Sequence, residues 1–237
     1  QHCKYCNYCH NPEILKEDGL VVKYDWAVDY TDQQTSIFWT HSEIELEKDI
    51  QDILVNLTPS ERHGIITVLK LFTLYEVRAG EEYWGGRIAK AFGRHEIKDM
   101  CACFAFFEQC VHKRFYSKIN ELLHLHTDEF YNSYVEDEQL KARMDFIAEA
   151  LADEDLLYAL GVFSMVEGAV LYSNFAYIKH FQSQGKNKLM NLCAGISFSL
   201  RDEALHSTAG AHLFRVLLEE SKLTPEQKTA LFARIYA

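Results

Sequence analysis

Residues 199–206 read SLRDEALH, in the middle of a stretch, residues 187–221, that contains no proline. Glu203 and His206 are three residues apart, so on an α-helix both side chains project from the same face. Burying a carboxylate costs several kcal/mol unless the charge is paired or binds a metal. The segment therefore predicts a long helix that presents two potential metal-ligating side chains on one face.

Further helices are predicted on both sides of this one. Residues 58–61 read TPSE, which combines an N-cap, a proline at the first helical position and a glutamate at the third. This signal predicts a helix that continues to about residue 80 or 93. Ser42 and Glu45 form a possible capping box and predict a helix near 43–56. The remaining predicted helices cover about 95–124, 128–135, 137–152 and 153–182, and TPEQ at 224–227 begins a last one.

Helix length and scarce proline decide the predicted fold class. Four of the predicted helices exceed about 20 residues, whereas the mean in globular proteins is about 11–12. Only 3 prolines and 11 glycines occur in 237 residues. Long antiparallel helices with short connections form a bundle, so we predict an all-α protein. The predicted organisation is a Cys/His-rich segment at 1–12, an irregular N-terminal arm at 13–41 and one helical domain at 42–237.

Composition argues against several classes of function. The chain has 24 Lys and Arg against 35 Asp and Glu, a net charge of −11, and no basic stripe, so we expect no nucleic-acid partner. No run of 18 apolar residues predicts a membrane span, and the N-terminus lacks the apolar region of a signal peptide. Seven cysteines are an odd number, and four lie in helical patterns. Free thiols in a reducing, cytoplasmic setting are therefore expected.

Each of the four long helices carries acidic or imidazole groups among apolar neighbours, in the order single, pair, single, pair. Bundles that bind two iron or manganese ions use one Glu from each of two helices and Glu-x-x-His from each of the other two. Oxygen and imidazole ligands suit iron or manganese. A single Glu-x-x-His pair on a helix usually lies at the protein surface and binds no metal. Four such sites in this order, however, favour a metal centre. The candidate ligands are Glu76, Gln109, His112, Glu167, Glu203 and His206.

Two segments carry a resemblance to a known family. Residues 201–206, RDEALH, and residues 69–76, LKLFTLYE, are similar to ligand segments of the small, radical-generating subunit of class I ribonucleotide reductase. The resemblance extends over about residues 36–212. It implies a ferritin-like helical bundle, usually a homodimer, that docks on a larger catalytic subunit. It also implies that O₂ or a reduced oxygen species oxidises a tyrosine for deoxyribonucleotide synthesis.

The resemblance implies roles for three further residues. Tyr116 falls at the radical tyrosine, one helical turn after His112. Trp39 falls at the tryptophan that begins the radical-transfer path, and Asp202 at the aspartate that links this tryptophan to the metal-bound histidine. Taken without the resemblance, Tyr116 is more simply one of 13 tyrosines packed in a core with its hydroxyl satisfied.

Gln109 departs from the family pattern, which has a metal-bridging glutamate there. Glu108 is adjacent but points about 100° away around an α-helix, so we expect it not to substitute. Three carboxylates with two divalent cations leave a net charge of +1. We therefore hypothesise an altered cofactor, which is a single metal, a different metal, or a modified Tyr116 radical that needs no metal. The sequence also stops at Ala237, where the family continues with a docking tail, so we expect either an incomplete sequence or a minimal form.

The cysteine-rich N-terminus has three interpretations. Cys3, Cys6, Cys9 and His10 have spacing that suits a zinc site. The same spacing suits a redox-active dithiol, and the third interpretation is a disordered start. The other four cysteines are expected to be small, buried side chains.

Three rival functions remain open at this point. A ferritin-like iron oxidase or storage protein would need neither Trp39 nor Asp202. A degenerate, non-catalytic homologue would fit Gln109 and the early end of the sequence. A two-electron oxygenase on the same scaffold would need an open substrate pocket beside the metals.

Overall fold

The chain folds into long helices packed side by side, which confirms the all-α prediction. The computed structural model describes residues 12–17 and 19–237, and within them no strand occurs. The Cys3, Cys6, Cys9 and His10 motif lies outside the described residues. The α-helices are α1 (Asp25–Ser36), α2 (Pro59–Val77), α3 (Ala89–Ala91), α4 (His95–Phe106), α5 (Lys113–Leu122), α6 (Asp128–Asn132), α7 (Glu138–Ala152), α8 (Leu156–Met165), α9 (Leu171–Lys179), α10 (Met190–Glu220) and α11 (Pro225–Ile235).

Three π-helical segments join α-helices into longer continuous ones. They are Arg78–Ile88 between α2 and α3, Phe107–His112 between α4 and α5, and Val166–Val170 between α8 and α9. A π-helix closes its hydrogen bonds one residue further along the chain than an α-helix, and such segments are frequent at functional sites. The predicted long helices are therefore present, but three of them change their side-chain register midway.

The helix-start predictions have mixed outcomes. Thr58 and Thr224 each form the predicted capping box. The predicted helix near 43–56 is present only over 46–56, where a 3₁₀ turn (Leu46–Asp49) continues into a π-helical turn (Asp52–Asn56). The predicted capping box at Ser42 is wrong, because the box forms at Thr40 with Glu43 and opens a separate short 3₁₀ turn. In this broken arrangement, Asp49 accepts hydrogen bonds from the backbone N–H groups at the start of α10.

The N-terminal arm was predicted to be irregular, but it contains a regular helix, because α1 occupies Asp25–Ser36. This helix packs against α4 and buries Ala27 and Gln34, which are two turns apart on one face. Hydrophobic periodicity does not reveal α1 because its buried face includes the polar Gln34.

One continuous helical stretch, Leu156–Gln182, is long and apolar enough to cross a membrane by composition. Its most apolar 18-residue window is 56% buried inside the bundle, and core helices pass the same test. Among the cysteines that the structure describes, Cys101 and Cys193 are buried, Cys103 is partly buried and Cys110 is exposed. The expectation of burial is therefore wrong for Cys110.

Candidate metal centre

Four helices bring six acidic and imidazole side chains together in the core. They form two groups of four, and within each group the candidate ligand atoms lie within 4.8 Å of one another. The first group is Glu76, Glu108, His112 and Glu203, and the second is Glu108, Glu167, Glu203 and His206. All six are buried. The two groups share Glu108 and Glu203, which is the arrangement that two neighbouring metal ions with bridging carboxylates require.

Glu108 lies at the centre of the cluster. Its Oε2 lies 2.9 Å from Nδ1 of His112, and its Oε1 lies 2.5 Å from Nδ1 of His206. The side chain is fully buried. A single carboxylate therefore spans the two histidines, with one oxygen facing each of them.

The structure does not bring Gln109, one of the predicted ligands, together with this cluster. Gln109 is half-buried and lies over Gly80, where an added Cβ would come within 2.5 Å of Gln109 Cγ. The reason is the π-helical segment Phe107–His112. Because a π-helix has more residues per turn than an α-helix, residues three apart diverge while Glu108 and His112, four apart, face the same side.

The other predicted ligands all reach the cluster. Glu76 comes from α2, Glu167 from the π-helical segment Val166–Val170, and Glu203 with His206 from the uninterrupted helix α10. Among these ligands, only Glu203 and His206 come from the same helix. Their separation of three residues places both side chains on its inward face because α10 is a continuous α-helix.

Each histidine is fixed by a hydrogen bond on the side away from the cluster. His112 Nε2 lies 2.9 Å from Asp202 Oδ2, and His206 Nε2 lies 2.8 Å from Gln34 Oε1. Both partner oxygens are acceptors, so the Nε2–H groups donate to them and the Nδ1 atoms face the glutamates. Outer partners of this kind orient metal-ligating histidines.

Trp39 forms a further hydrogen bond to Asp202, on the side away from the cluster. Its Nε1–H donates to Asp202 Oδ2 at 2.7 Å, so Asp202 links the indole to His112. Both Trp39 and Asp202 are buried. Burial alone would raise the pKa of Asp202, but the hydrogen bond and charge of His112 lower it below its usual value.

Burial and crowding of the carboxylates shift their pKa values in opposite directions. Burial, together with the charge of Glu108, raises the pKa of Glu76 well above its ordinary value, and burial and the charge of Glu203 do the same for Glu167. Burial alone would raise the pKa of Glu108, but His206 and His112 hold it well below the usual range. Burial alone would lower the pKa of His112, yet the charge of Glu108 raises it well above normal. The two histidines therefore favour the charged form of the central carboxylate, while burial disfavours the charged forms of Glu76 and Glu167.

The cluster contains more acceptor oxygens than the protein satisfies. Glu76 Oε2, Glu167 Oε2 and both carboxylate oxygens of Glu203 are buried without hydrogen-bond partners. Buried polar atoms are almost always paired, and exceptions point to a bound ion or water. Four carboxylates also balance the charge of two divalent cations. The residues present therefore fit a pair of metal ions.

Three buried tyrosines surround this cluster. Tyr116, the predicted radical residue, packs its ring against Phe72 and Phe115 at centroid distances of 4.9 and 5.2 Å. The hydroxyls of Tyr116, Tyr75 and Tyr83 are buried without hydrogen-bond partners. The expectation that a core tyrosine would have its hydroxyl satisfied does not hold for Tyr116.

The family model for the small chain of ribonucleotide reductase matches residues 20–237. The chain belongs to this family. Curated small-chain relatives include the ribonucleoside-diphosphate reductase subunit beta of Chlamydia pneumoniae, which is 25% identical over 219 residues, covering 84% of this chain and 61% of the relative. The subunit beta of Halalkalibacterium halodurans is 24% identical over 230 residues, covering 90% of this chain and 63% of the relative. The chain thus spans about three-fifths of the length of these small-chain relatives.

Solved structures of ribonucleotide reductase small chains share the fold. The R2 subunit of Clostridium botulinum superposes with a TM-score of 0.76 at 22% identity, covering 90% of this chain and 69% of that one. The dimanganese(II) protein NrdF of Streptococcus sanguinis gives a TM-score of 0.79 at 22% identity, covering 93% and 76%. These likenesses support the ferritin-like bundle of the small-chain family.

Four residues of the candidate metal centre were not predicted from the sequence. Glu108 carries a signal that was available, because residues four apart also share a helix face. Trp84 donates its Nε1–H to Glu167 Oε1 at 3.0 Å, and Gln34 holds His206, but nothing in their local sequence indicates these partners. Tyr75, directly before Glu76, is the fourth.

Proposed function

We propose that this chain is the radical-generating subunit of a ribonucleoside-diphosphate reductase. The observation that carries the proposal is the hydrogen-bonded chain from Trp39 through Asp202 to His112, which ends on a buried cluster of carboxylates and histidines. A ferritin-like oxidase or storage protein needs the cluster but has no use for this outward connection. Membership of the small-chain family supports the same function.

The proposed metal centre is dinuclear, with Glu108 as the central bridging carboxylate. The Nδ1 atoms of His112 and His206 face the cluster and would each bind one metal. Glu76 and Glu167 would complete the two positions, and Glu203 is shared between them. Oxygen and imidazole donors suit iron or manganese, and the proposal covers either metal or both. When bound, such metals supply the oxidising power that O₂ or a reduced oxygen species delivers.

This assignment removes the basis of the altered-cofactor hypothesis. That hypothesis depended on a neutral Gln109 in the bridging position. With Glu108 there, four carboxylates neutralise two divalent ions, and neither a single metal nor a metal-free modified tyrosine is needed to account for the residues.

We propose that Tyr116 is the residue that a metal-loaded centre would oxidise, and that its buried phenol would hold the radical. Its ring lies among aromatic neighbours in a fully buried environment, which excludes water from the oxidised phenol. On the Asp202 side, the carboxylate holds the imidazole of His112 and the indole of Trp39 in register for electron transfer toward the surface.

The wider assembly is proposed on family grounds. We propose a homodimer that works in the cytoplasm with a large catalytic subunit, which receives the oxidising equivalent from Trp39 and reduces the ribonucleotide. No membrane and no nucleic acid is part of this proposal.

The proposal is tested with the purified chain loaded anaerobically with Fe(II), or Fe(II) and Mn(II), and then exposed to O₂. We expect an electron paramagnetic resonance (EPR) signal of a tyrosyl radical. Trp39→Phe should keep that signal but lose ribonucleotide reduction in the presence of the large subunit, while Trp26→Phe, an indole outside the hydrogen-bonded chain, keeps both. A wild-type chain that mineralises excess iron and forms no radical would contradict the proposal.

A further inference from the structure

A small apolar cavity lies between α2, α7, α9 and the π-helical segment Val166–Val170. Its volume is about 40 Å³. Its outer side is lined by Phe146 and Val170, which keep 46% and 42% of their surface exposed. Its inner walls are the buried side chains of Leu71, Tyr75, Ile147, Val166 and Leu171. The cavity therefore leads from the surface of the bundle into its core.

Two of the inner walls belong to the segments that supply candidate metal ligands. Tyr75 lines the cavity, and Glu76, the next residue of α2, belongs to the cluster. In the same way Val166 lines the cavity, and Glu167, the next residue, belongs to the cluster. Adjacent side chains on an α-helix project about 100° apart. Each segment thus presents one face to the cavity and the neighbouring face to the cluster.

The size and polarity of the cavity restrict what it can hold. Water buried in a protein needs two to four polar partners, whereas apolar cavities stay dry and take up xenon or benzene. Benzene binds in an apolar cavity of about 150 Å³, and a water-sized molecule needs roughly 10–15 Å³. A cavity of about 40 Å³ therefore has room for a small apolar gas but not for an organic substrate.

A second, more polar cavity adjoins the first one. Its volume is about 190 Å³, and its walls include Asp137 and Gln139. The two cavities share Leu71, Arg143 and Asn174 in their walls. Arg143 Nη1 donates a hydrogen bond to Asn174 Oδ1 at 3.3 Å at this shared boundary. Polar side chains thus end at this boundary, and the way inward from it is apolar.

We propose that the apolar cavity admits dioxygen to the metal centre. Dioxygen, a small apolar molecule, enters past Phe146 and Val170 and occupies the cavity. The last step inward passes Tyr75 and Val166, the walls that directly precede two candidate ligands in the chain. Water and larger reductants stay outside, so the oxidant arrives without exposing a radical to solvent. The inference rests on the proposed function, because only a centre that reacts with O₂ needs such an entrance.

Xenon tests the cavity without any metal. Crystals of the metal-free chain under xenon pressure should show an anomalous peak beside Ile147 in the wild type and none in Ile147→Phe, because the larger ring fills the cavity. This substitution lies on α7, which supplies none of the six side chains of the cluster. Met144→Phe is the matched control, since Met144 is buried on the same helix but does not line the cavity. It should keep the peak.

Stopped-flow mixing of the Fe(II)-loaded chain with O₂ tests the entrance. At equal bound iron, we expect Ile147→Phe to lower the second-order rate constant of iron oxidation at least tenfold and Met144→Phe to leave it near the wild-type value. Val170→Phe narrows the outer end, where the native side chain is partly exposed and a larger ring can be accommodated. It should also lower the rate constant, which provides a second test if Ile147→Phe does not fold.

Two results would overturn the inference. One is a wild-type crystal without a xenon peak in the cavity. The other is an Ile147→Phe or Val170→Phe chain that takes up no xenon and still reacts with O₂ at the wild-type rate. If xenon binds but the Fe(II)-loaded wild type does not react with O₂, the proposed function fails and the role of the cavity fails with it. Because the xenon measurement needs neither iron nor O₂, it distinguishes the two failures.

Discussion

At the scale of single residues, the function of this centre depends on which of two neighbours faces inward. Glu108 lies between His112 and His206, whereas Gln109 lies against Gly80. The difference is one unit of negative charge at the position shared by both metals. Four carboxylates would balance the charge of two divalent cations. With one carboxylate fewer, one of the two positions would bind its cation more weakly.

Glu108→Gln is predicted to reduce metal content from two ions per chain to one or none. The amide keeps the shape of the side chain but is neutral and is a weaker metal bridge. Gln109→Glu is the matched control, because it introduces a carboxylate at the neighbouring position outside the cluster. We expect it to bind metal as the wild type does, measured by elemental analysis after loading and gel filtration.

The opposite pattern would show that residue 109 is the ligand. In that outcome Gln109→Glu would raise metal content or affinity, and Glu108→Gln would leave both unchanged.

Metal binding near neutral pH is predicted to release protons. Without metal, the pKa values of Glu76, Glu167 and His112 are all raised, which favours their protonated forms, whereas metal ligands must be deprotonated. Raising the pH removes these protons in advance, so metal affinity should increase with pH. Calorimetric titration with Mn(II) in buffers of different ionisation enthalpy measures the released protons directly. A heat of binding that does not depend on the buffer would contradict this account of the charges.

At the scale of helices, π-helical segments set the register of the site. Arg78–Ile88 and Phe107–His112 pack against each other, and Gly80 on the first segment makes room for Gln109 on the second. A Cβ at Gly80 would also come within 3.1 Å of Glu108 Cβ. The absence of a side chain at residue 80 therefore permits the register that turns Glu108 inward.

Gly80→Ala is predicted to destabilise the fold by about 1–3 kcal/mol, the usual range for overpacking a well-packed site. It should also weaken metal binding, because Glu108 Cβ must move. Adding Gln109→Ala removes the nearer clash and should recover part of the lost stability. Chemical denaturation of the metal-free proteins measures the first effect, and equal stability of Gly80→Ala and wild type would contradict it.

The sequence predicts the helices well and their internal register poorly. Thr58, Thr224 and the scarcity of proline are local signals, so the long helices and their starts could be predicted. The π-helical segments form because of contacts between helices, and regular α-helical spacing therefore assigned the ligand to Gln109 and not to Glu108. Helix α1 was missed for a related reason, since its inward face holds Gln34, whose partner His206 is 172 residues away.

At the scale of the whole molecule, the candidate metal centre draws side chains from several helices of the bundle. Its ligands come from α2, the segment that joins α4 to α5, the segment that joins α8 to α9, and α10. Without metal, the same point in the core holds four carboxylates. Three of them have buried oxygens without a hydrogen-bond partner, and two of these four oxygens belong to Glu203. Bound metal should therefore stabilise the entire fold and not one helix.

Metal loading is predicted to raise the thermal unfolding temperature of the chain, and a chelator to reverse the change. Ligand linkage gives about 2.7 kcal/mol when free metal is 100 times its Kd. Differential scanning calorimetry with and without Mn(II) measures the shift. Glu108→Gln should show little or no shift, whereas Gln109→Ala should match the wild type. A metal-induced shift of the same size in Glu108→Gln would place the stabilising site elsewhere.

The central claim is that this chain holds two metal ions bridged by Glu108. The most direct measurement is an anomalous-scattering map of crystals loaded with iron or manganese, recorded at the absorption edge of the metal. The account predicts two peaks, one beside His112 and one beside His206, both within ligand distance of the Glu108 carboxylate, with Gln109 turned toward Gly80. A single peak, or a peak coordinated by Gln109 with Glu108 facing away, would contradict it.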